Sequence, residues 1–296
     1  MGVAVVTGAS GFVGRRVVER LATADTEVVA IARSEAPPGL PANVRWVRAD
    51  LLEPSGYSAA LSGADVVIHL AAVTGKAWPH QYKRNNVEAT EVLLGACERA
   101  GVRRFVFASS IAAKFGDRRF YPYAASKVAA EEAVRASSLE TTIIRPTMIF
   151  GAGSPVEAGL ARLARLPIVP IFGDGRTRVA PIHVADVVAA VVAAAEDGTA
   201  GAAEVDVGGA RVLTIEELVL ALRAAQGISG AARVVHLPLG LIRFTLAVVE
   251  RLLLPVLPLT AGQLATFAND AVPEVNPFSQ RWLPAPTPIP ALAGFS

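Results

Sequence analysis

The sequence predicts an α/β protein built on a doubly wound parallel sheet, with a smaller mixed lobe formed by its C-terminal part. Two observations lead to this prediction. Six runs rich in valine, isoleucine and phenylalanine alternate with amphipathic helical segments through the first half of the chain, which is typical of βαβ units. These runs are nearly continuous in apolar residues, as strands covered on both faces of a parallel sheet need to be.

The predicted elements divide the chain into a larger and a smaller part. After about residue 151, glycine and proline become frequent, and helical runs at 184–195 and 214–226 alternate with short strands. We therefore expect a core over residues 1–150, to which a segment near 179–208 returns, and a smaller lobe over 151–296. The predicted strands of the core are, in chain order, GVAVVT, EVVAIA, NVRWVR, DVVIHL, RRFVFAS and TTIIRP.

Composition narrows the class of protein. With 52% hydrophobic and 18% charged residues, the 296-residue chain is globular rather than disordered. A net charge of +2 without a basic block predicts no nucleic-acid partner. A strand begins within a few residues of Met1 without a leader pattern, so we expect a cytoplasmic protein. The single cysteine, Cys97, lies in a helical pattern and is expected to be a buried apolar residue.

An apolar stretch at residues 237–259 is not predicted to span a membrane. Arg243, Glu250 and Arg251 interrupt it, and two prolines break it. Helical spacing places Arg243 and Glu250 on one face and a wide apolar stripe on the opposite face. We expect this helix to pack on the protein's own core, and contact with a second subunit or a membrane surface is the alternative.

Three glycines, Gly8, Gly11 and Gly14, follow the first predicted strand at the point where a helix opens near Phe12. The N-terminus of a helix offers unpaired N–H groups and a positive dipole end to an anion. Here Gly8 would permit the tight turn, Gly11 would leave room for a pyrophosphate, and Gly14 would let the helix pack close to the sheet. The spacing is G-x-x-G-x-x-G rather than G-x-G-x-x-G, but its position predicts a Rossmann-type dinucleotide site.

The end of the second strand predicts which dinucleotide is bound. A carboxylate there would accept from a ribose 2′-hydroxyl, whereas a guanidinium would pair with a 2′-phosphate. The sequence has Arg33 at this point, with Arg15 in the first helix and Glu35 two residues further on. We therefore expect NADP(H) to be preferred, with NAD(H) as the alternative. Asp50 and the HLAA segment at 69–72 follow strand ends where they would contact adenine and ribose, and Asp50 could equally be a turn residue.

Tyr123 and Lys127 lie four residues apart on a helix that Pro122 would start. A phenol has a pKa near 10, and a neighbouring ammonium and a helix N-terminus would both lower it. We therefore predict Tyr123 as an acid–base group that Lys127 tunes. The preceding strand brings Ser109 and Ser110 to the carboxyl edge of the sheet, where Ser110 would donate to a substrate carbonyl oxygen; either serine could instead cap the chain.

Two further pairs of polar residues lie in the C-terminal half of the chain. His183 and Asp186 could suggest a metal, but the histidines show no ligand spacing, so we expect no metal and a cap or first-turn role for Asp186. Arg176 and Arg178 would either meet an anionic substrate group or face solvent.

The chain carries, in this order, TGASGFVG, NVEATEVLLGACERAGVRRFVFASS, YAASK and IIRPTMIFG. On these motifs residues 1–210 resemble the extended short-chain dehydrogenase/reductase superfamily of the NAD(P)-dependent epimerase/dehydratase type. The resemblance implies that Tyr123 is the acid–base, that Lys127 also holds the nicotinamide ribose, and that Ser110 orients the substrate. Asn86 would support the third βα unit. The expected cofactor-binding residues are Thr7, Gly8, Gly11, Phe12, Val13, Gly14, Arg15, Arg33, Asp50, Leu51, Leu70, Ala71, Ala72, Asn86, Lys127 and Pro146.

Departures from the superfamily pattern bear on the substrate. Gly116 lies six residues beyond Ser110 where the superfamily has five, with Lys114 between them, and Thr147 and Met148 stand where nucleotide-sugar enzymes carry asparagine. A UDP-sugar is therefore disfavoured. The apolar C-terminal lobe favours a hydrophobic or weakly polar ketone or alcohol as the small-molecule substrate.

Two functions remain open at this stage. GDGRTRVAPIHVADV and LTAGQLATFANDAV are similar to segments of the nucleotide-binding accessory subunit of respiratory complex I and its bacterial relatives. The chain is thus either an NAD(P)-dependent oxidoreductase or epimerase/dehydratase, or a non-catalytic NADP(H)-binding accessory protein. The retained Tyr123 and Lys127 favour the enzyme. The superfamily resemblance also implies a homodimer through helices of the nucleotide-binding core.

Overall fold

The computed structural model describes residues 2–24, 26–198, 202–228, 232–257 and 259–292, and its centre is a seven-stranded parallel sheet. The predicted fold class is confirmed, and each of the six predicted strands is present. The segment near 179–208 contributes the seventh, which pairs with the last predicted strand. In sheet order the strands are β11 (Ala203–Val207), β6 (Glu140–Pro146), β5 (Arg104–Ala108), β4 (Val66–His69), β1 (Val3–Thr7), β2 (Glu27–Ala32) and β3 (Val44–Arg48).

The order of the strands creates a crevice at one edge of the sheet. β1 pairs with β2 on one side and with β4 on the other, so the chain changes its direction of progress across the sheet at β1. Open parallel sheets bind ligands at the carboxyl ends of strands beside such a reversal. The glycine turn after Thr7 and the loop after His69 meet there.

Helices cover both faces of the sheet and bury its valine-rich strands. One face packs against α1 (Gly14–Ala22), α7 (Val184–Glu196) and α10 (Pro277–Trp282). The other face packs against α2 (Ser58–Leu61), α4 (Ala89–Arg99) and α5 (Pro122–Ala136). α3 (Pro79–Tyr82) runs through a π-helical turn at Lys83–Glu88 into α4. Cys97 is fully buried in the second layer, as predicted.

The C-terminal part forms a separate apolar cluster over the loop that follows β5. Two helices, α6 (Pro155–Ala164) and α8 (Ile215–Ala225), pack on the parallel pair β8 (Ile168–Phe172) and β13 (Arg233–Leu237). The same cluster includes Ile111 and Phe115 from the loop after β5. Two short pairs join this part to the sheet region: β7 (Ile149–Phe150) with β10 (Ile182–His183), and β9 (Arg178–Val179) with β12 (Leu213–Thr214).

The predicted packing of the apolar helix is wrong in one respect. This helix, α9 (Leu239–Leu253), turns Ile242 and Leu246 toward the C-terminal cluster, but Arg243 and Glu250 also face the protein. The wide apolar stripe therefore faces solvent, and Leu252 is 85% exposed. Buried polar partners, which spacing alone does not reveal, determine this orientation. Across the described residues, no helix is both long and apolar enough to cross a bilayer.

Candidate dinucleotide and catalytic site

The glycine turn after β1 is held by close backbone contacts. Gly8 adopts φ +68°, and a Cβ atom there would lie 2.6 Å from the Ala71 nitrogen. A Cβ atom on Gly14 would lie 2.1 Å from the Gly8 carbonyl oxygen, while the Gly11 N–H donates to that oxygen at 2.9 Å. Gly14 therefore packs against the turn itself, and not against the sheet as the sequence analysis expected. Gly8 and Gly14 are therefore required by the packing of the backbone itself, whether or not a ligand is bound.

A cleft of about 390 Å³ opens beside this turn at the carboxyl edge of the sheet. Its volume lies in the range of small-molecule sites. The walls come from the ends of β1, β2, β3 and β4, which is where the topology predicts a ligand. The predicted cofactor residues that line the cleft are Gly8, Gly11, Arg33, Asp50, Leu51, Leu70, Ala71 and Ala72.

Several other predicted cofactor residues do not line this cleft. Thr7 is buried and its hydroxyl lies 2.7 Å from His69 Nδ1. Asn86 is buried too, and its Oδ1 accepts from the Val73 N–H at 2.7 Å while its amide donates to Ser126 Oγ at 3.0 Å. Asn86 thus joins the loop after β4 to α5. The others outside the lining are Phe12, Val13, Gly14, Arg15, Lys127 and Pro146.

Sequence reasoning missed part of the lining. Six of the missed residues directly adjoin predicted ones, so extending each motif by one residue would have found Ser10, Ala32, Ser34, Ala49, Val73 and Asn85. Ser10 lies inside the glycine motif and had no assigned role. Ala89 begins α4 and carried no sequence feature that could have identified it.

The charges at the end of β2 are arranged around Arg33. Arg33 lines the cleft, and its Nη1 lies 3.4 Å from Asn85 Oδ1. Glu35 pairs instead with Arg48, and both side chains are largely exposed. Asp50 faces the cleft while its Oδ1 accepts from the Leu52 N–H at 3.0 Å, so its turn role and its cleft position coexist. The mouth of the cleft at this end therefore carries a guanidinium without a carboxylate partner among the described residues.

The predicted catalytic side chains converge next to the end of β5. Ser110 Oγ accepts from the Ala112 N–H at 3.2 Å and forms a hydrogen bond with the Tyr123 side chain. Lys127 Nζ donates to the Ala108 carbonyl oxygen at 2.7 Å and lies 4.8 Å from the centroid of the Phe107 ring. Ser110 therefore both caps the following turn and contacts Tyr123. α5 presents Tyr123 and Lys127 on one face because they are four residues apart.

The expected acidity of Tyr123 is not found in this structure. Burial raises the pKa of Tyr123 to about 12, the hydrogen bond with Ser110 offsets only part of that increase, and Tyr82 raises it further. Burial also lowers the pKa of Lys127 to about 8, although the negative charge of Glu131 raises this pKa in part. The sequence predicted that the neighbouring ammonium would lower this pKa, but withdrawal of the phenol from water is the largest influence and Lys127 is not among the groups that shift it.

A buried ion network supports this end of the site. Glu131, one helical turn beyond Lys127, accepts from Ser109 Oγ at 2.5 Å and from Arg145 at 2.6 and 2.7 Å. Burial alone would raise the pKa of Glu131, but hydrogen bonds from Arg145 and Ser109 hold it below its usual range. Arg145 also contacts Glu204 on β11 at 2.5 Å. The end of β5 is thus joined to α5 and to the sheet edge.

An aromatic wall lies against Tyr123. The ring centroids of Tyr82 and Tyr121 lie 6.1 and 5.7 Å from that of Tyr123. The Tyr82 hydroxyl donates to the Gly75 carbonyl oxygen. Gly262 packs so closely on Tyr121 that a Cβ atom would lie 2.7 Å from the ring. The surroundings of the Tyr123 phenol are therefore largely apolar.

Of the remaining polar residues that the sequence singled out, Lys114 and Arg178 form ion pairs. Lys114 Nζ lies 2.9 Å from carboxylates of both Asp206 and Glu274. Arg178 pairs with Asp270 at 2.7 Å. Arg176 is exposed.

His183 and Asp186 lie at the start of α7. The His183 Nδ1 caps this helix by accepting from the Ala185 N–H at 3.3 Å. Asp186 lies in the first turn, where its carboxylate accepts from the Thr287 N–H at 2.8 Å and so fixes the C-terminal segment. Within the described ranges no group of three or more His, Cys, Asp and Glu side chains is placed to bind a metal.

With the fold and the cleft defined, the family follows from comparison. The chain belongs to the NAD dependent epimerase/dehydratase family, which it matches over residues 4–208. This is a family of NAD-dependent epimerases, dehydratases and reductases.

Its relatives include two bacterial reductases and a subunit of a respiratory enzyme. The chain is 36% identical to the ceramide reductase of Caulobacter vibrioides over 195 residues, which span 65% of this chain and 60% of that protein. It is 31% identical over 252 residues to the 2-alkyl-3-oxoalkanoate reductase of Stenotrophomonas maltophilia, with 75% of each chain covered. A mitochondrial NADH dehydrogenase subunit of Arabidopsis thaliana is 31% identical over 226 residues, 73% of this chain and 56% of that protein.

Solved structures agree with the fold. MoeE5 in complex with UDP-glucuronic acid and NAD superposes with a TM-score of 0.68 and 29% identity, covering 91% of this chain and 97% of MoeE5. The fold is therefore shared along almost the whole of both chains.

Proposed function

We propose that this protein is an NADP(H)-dependent reductase of a carbonyl group in a lipophilic substrate. The observation that carries the proposal is the convergence of Ser110, Tyr123 and Lys127 at the end of β5, the strand that pairs with β4, whose following residues line the cleft. The relatives that reduce ceramide-related and alkyl-oxoalkanoate substrates support the reaction class. The apolar wall around Tyr123 supports a lipophilic substrate.

The cleft fits a dinucleotide on the chain's own features. Gly8 and Gly11 line the cleft without side chains of their own, and the helix α1 begins at Gly14, just after them. Arg33 lines the cleft at the end of β2, where it would pair with the 2′-phosphate that distinguishes NADPH from NADH. Among the described residues that line the cleft, Asp50 is the one acidic residue. Glu35 is engaged by Arg48 and would not compete for the ribose.

Bound NADPH would supply a hydride to the carbonyl carbon. Tyr123 would transfer its phenolic proton to the carbonyl oxygen, so that a ketone gains one hydride and one proton and becomes an alcohol. Ser110 would donate a hydrogen bond to the same oxygen as negative charge develops on it. Lys127 would favour the phenolate that remains and would hold the nicotinamide ribose.

Turnover tests the reaction. The purified full chain should oxidise NADPH, followed by its absorbance, with long-chain 3-oxo compounds as substrates. Tyr123→Phe should lower kcat by at least a hundredfold while NADPH binding stays within twofold. Tyr121→Phe, a neighbouring ring on the same wall, is the matched control and should keep kcat within a few-fold. Tight NADPH binding without turnover on any carbonyl substrate would contradict the enzyme and favour the non-catalytic accessory protein.

Cofactor choice is tested separately. A charge-assisted contact is worth about 1.5–3 kcal/mol, so Arg33→Ala should weaken NADPH binding by about tenfold to a hundredfold. NADH binding should change little. Arg20→Ala, an exposed arginine on α1, is the control for loss of positive charge. Equal effects of Arg33→Ala on the two cofactors would contradict the role of Arg33.

A further inference from the structure

An exposed apolar surface runs along α9 and around its C-terminal end. We call the exposed stripe Leu241, Phe244, Val248 and Leu252 the α9 ridge, and the exposed residues of 251–256 the α9 tip. The ridge residues are more than half exposed. Soluble proteins rarely leave apolar patches larger than a few hundred Å² uncovered, and such patches mark interaction sites.

The inward contacts of α9 show that the exposure of the ridge is determined by the fold. Arg243 is buried and donates to the Asp117 carboxylate at 2.7 Å. Glu250 accepts from the Ala261 N–H. Since both ends of the helix are fixed by these contacts, α9 cannot rotate its ridge inward without leaving a charge unpaired. The outward orientation is therefore a stable feature of the fold.

The shape of the tip discriminates between occupants. Leu252 and Leu253 are adjacent, and so point about 100° apart around the helix axis, yet both are exposed. Val256, in the 3-10 turn that follows, is 75% exposed, and only Leu254 of this segment is buried among the large apolar residues. A partner helix covers one stripe of a helix, whereas a lipid surface covers a protrusion on all sides. The tip has the form that a bilayer accommodates.

The charges around the tip have one sign. Residues 239–257 contain three charged side chains, and the two that face the protein are Arg243 and Glu250. The third, Arg251, is exposed at the tip. Lys76 adds a second exposed cation, because its Nζ donates at 2.9 Å to the carbonyl oxygens of Pro255 and Leu257. Basic residues beside exposed leucine and phenylalanine are typical of helices that lie on anionic membranes.

We propose that the α9 ridge and tip bind the surface of an anionic lipid bilayer. Their apolar side chains would enter the headgroup region while Arg251 and Lys76 meet lipid phosphates. The contact lies close to the candidate site, because Lys76 belongs to the loop in which Gly75 accepts from the Tyr82 hydroxyl, and the Tyr82 ring faces Tyr123. Binding to a bilayer would therefore bring this end of the site near lipid. The proposal of bilayer binding does not depend on the proposed reaction.

Vesicle binding tests the proposal. The purified full chain should co-sediment with vesicles of phosphatidylcholine and phosphatidylglycerol, and more weakly with phosphatidylcholine alone. The double variant Leu252→Glu/Val256→Glu should lose at least tenfold in vesicle partitioning. Val275→Glu is the matched control, because Val275 is 71% exposed but lies outside α9. Arg251→Glu should weaken binding to the anionic vesicles and leave binding to neutral ones unchanged.

Three results would overturn the proposal. The first is a wild-type chain that binds neither kind of vesicle. The second is a double variant that binds vesicles as well as Val275→Glu does. The third is a dimer, seen by sedimentation velocity, that the double variant dissociates, since a second copy would then cover the ridge. Because these measurements use no substrate and Tyr123 is unchanged, their failure would leave the proposed reductase reaction untouched.

Discussion

Replacing Glu131 by glutamine should strongly destabilise the protein. Glu131 is 3% exposed and pairs with Arg145, whose side chain is 8% exposed. Glutamine keeps the shape of the side chain but removes its charge, which leaves Arg145 with weaker compensation in a buried position. Removal of one partner of a buried ion pair costs about 3–5 kcal/mol. Because Glu204 still contacts Arg145, we expect the lower end, about 3 kcal/mol.

Thermal and denaturant unfolding measure this loss. At about 2.1 cal/mol/K of unfolding entropy per residue, a 296-residue chain loses about 1.6 °C of Tm per kcal/mol, so Glu131→Gln should lower Tm by about 5 °C. Glu132→Gln is the matched control, because Glu132 is the next residue of α5 and is exposed. Its Tm should stay within about 2 °C of wild type. A Glu131→Gln protein as stable as the control would refute the view that this network holds α5 to the sheet.

Four further predictions concern pH dependence, helix stability and cofactor binding. Burial lowers the pKa of Lys127 to about 8 against the charge of Glu131, so carbonyl reduction should decline above pH 8, and Glu131→Gln should move that decline to lower pH in a pH–rate profile. A hydrogen bond from arginine is the main reason that the pKa of Glu204 falls to about 2, so its stabilisation should be complete above about pH 5 and lost as acid unfolding proceeds toward pH 2. Gly159→Ala, which fills open space in α6, should raise the unfolding free energy by about 0.5–1 kcal/mol, whereas Gly14→Ala should abolish NADPH binding in a fluorescence titration because its Cβ atom would lie 2.1 Å from a carbonyl oxygen.

Features with local sequence patterns were predictable. The strands could be located because parallel strands are apolar on both faces, and the glycine turn because Gly8, Gly11 and Gly14 directly follow a strand. Cys97 was correctly predicted to be buried from its helical context. Each of these inferences depends on residues within about ten positions of one another.

Features that depend on distant partners were not predictable. Arg243 on α9 is buried because Asp117, 126 residues earlier, accepts its hydrogen bond. The same applies to Glu131, whose partner Arg145 lies on another element. The sequence shows that each of these residues is charged but does not show which residue it contacts. When a charged side chain has a partner inside the protein, the helix turns its charged face inward and its apolar face outward.

The high pKa of Tyr123 bears on the direction of the proposed reaction. A phenol whose pKa is raised to about 12 by burial carries its proton throughout the neutral range. Carbonyl reduction consumes that proton, so the free site already holds the acid in the form that reduction needs, whereas alcohol oxidation would first require its removal. Since the rings of Tyr82 and Tyr121 lie against that of Tyr123, the same aromatic surroundings that suit a lipophilic substrate also favour reduction at neutral pH.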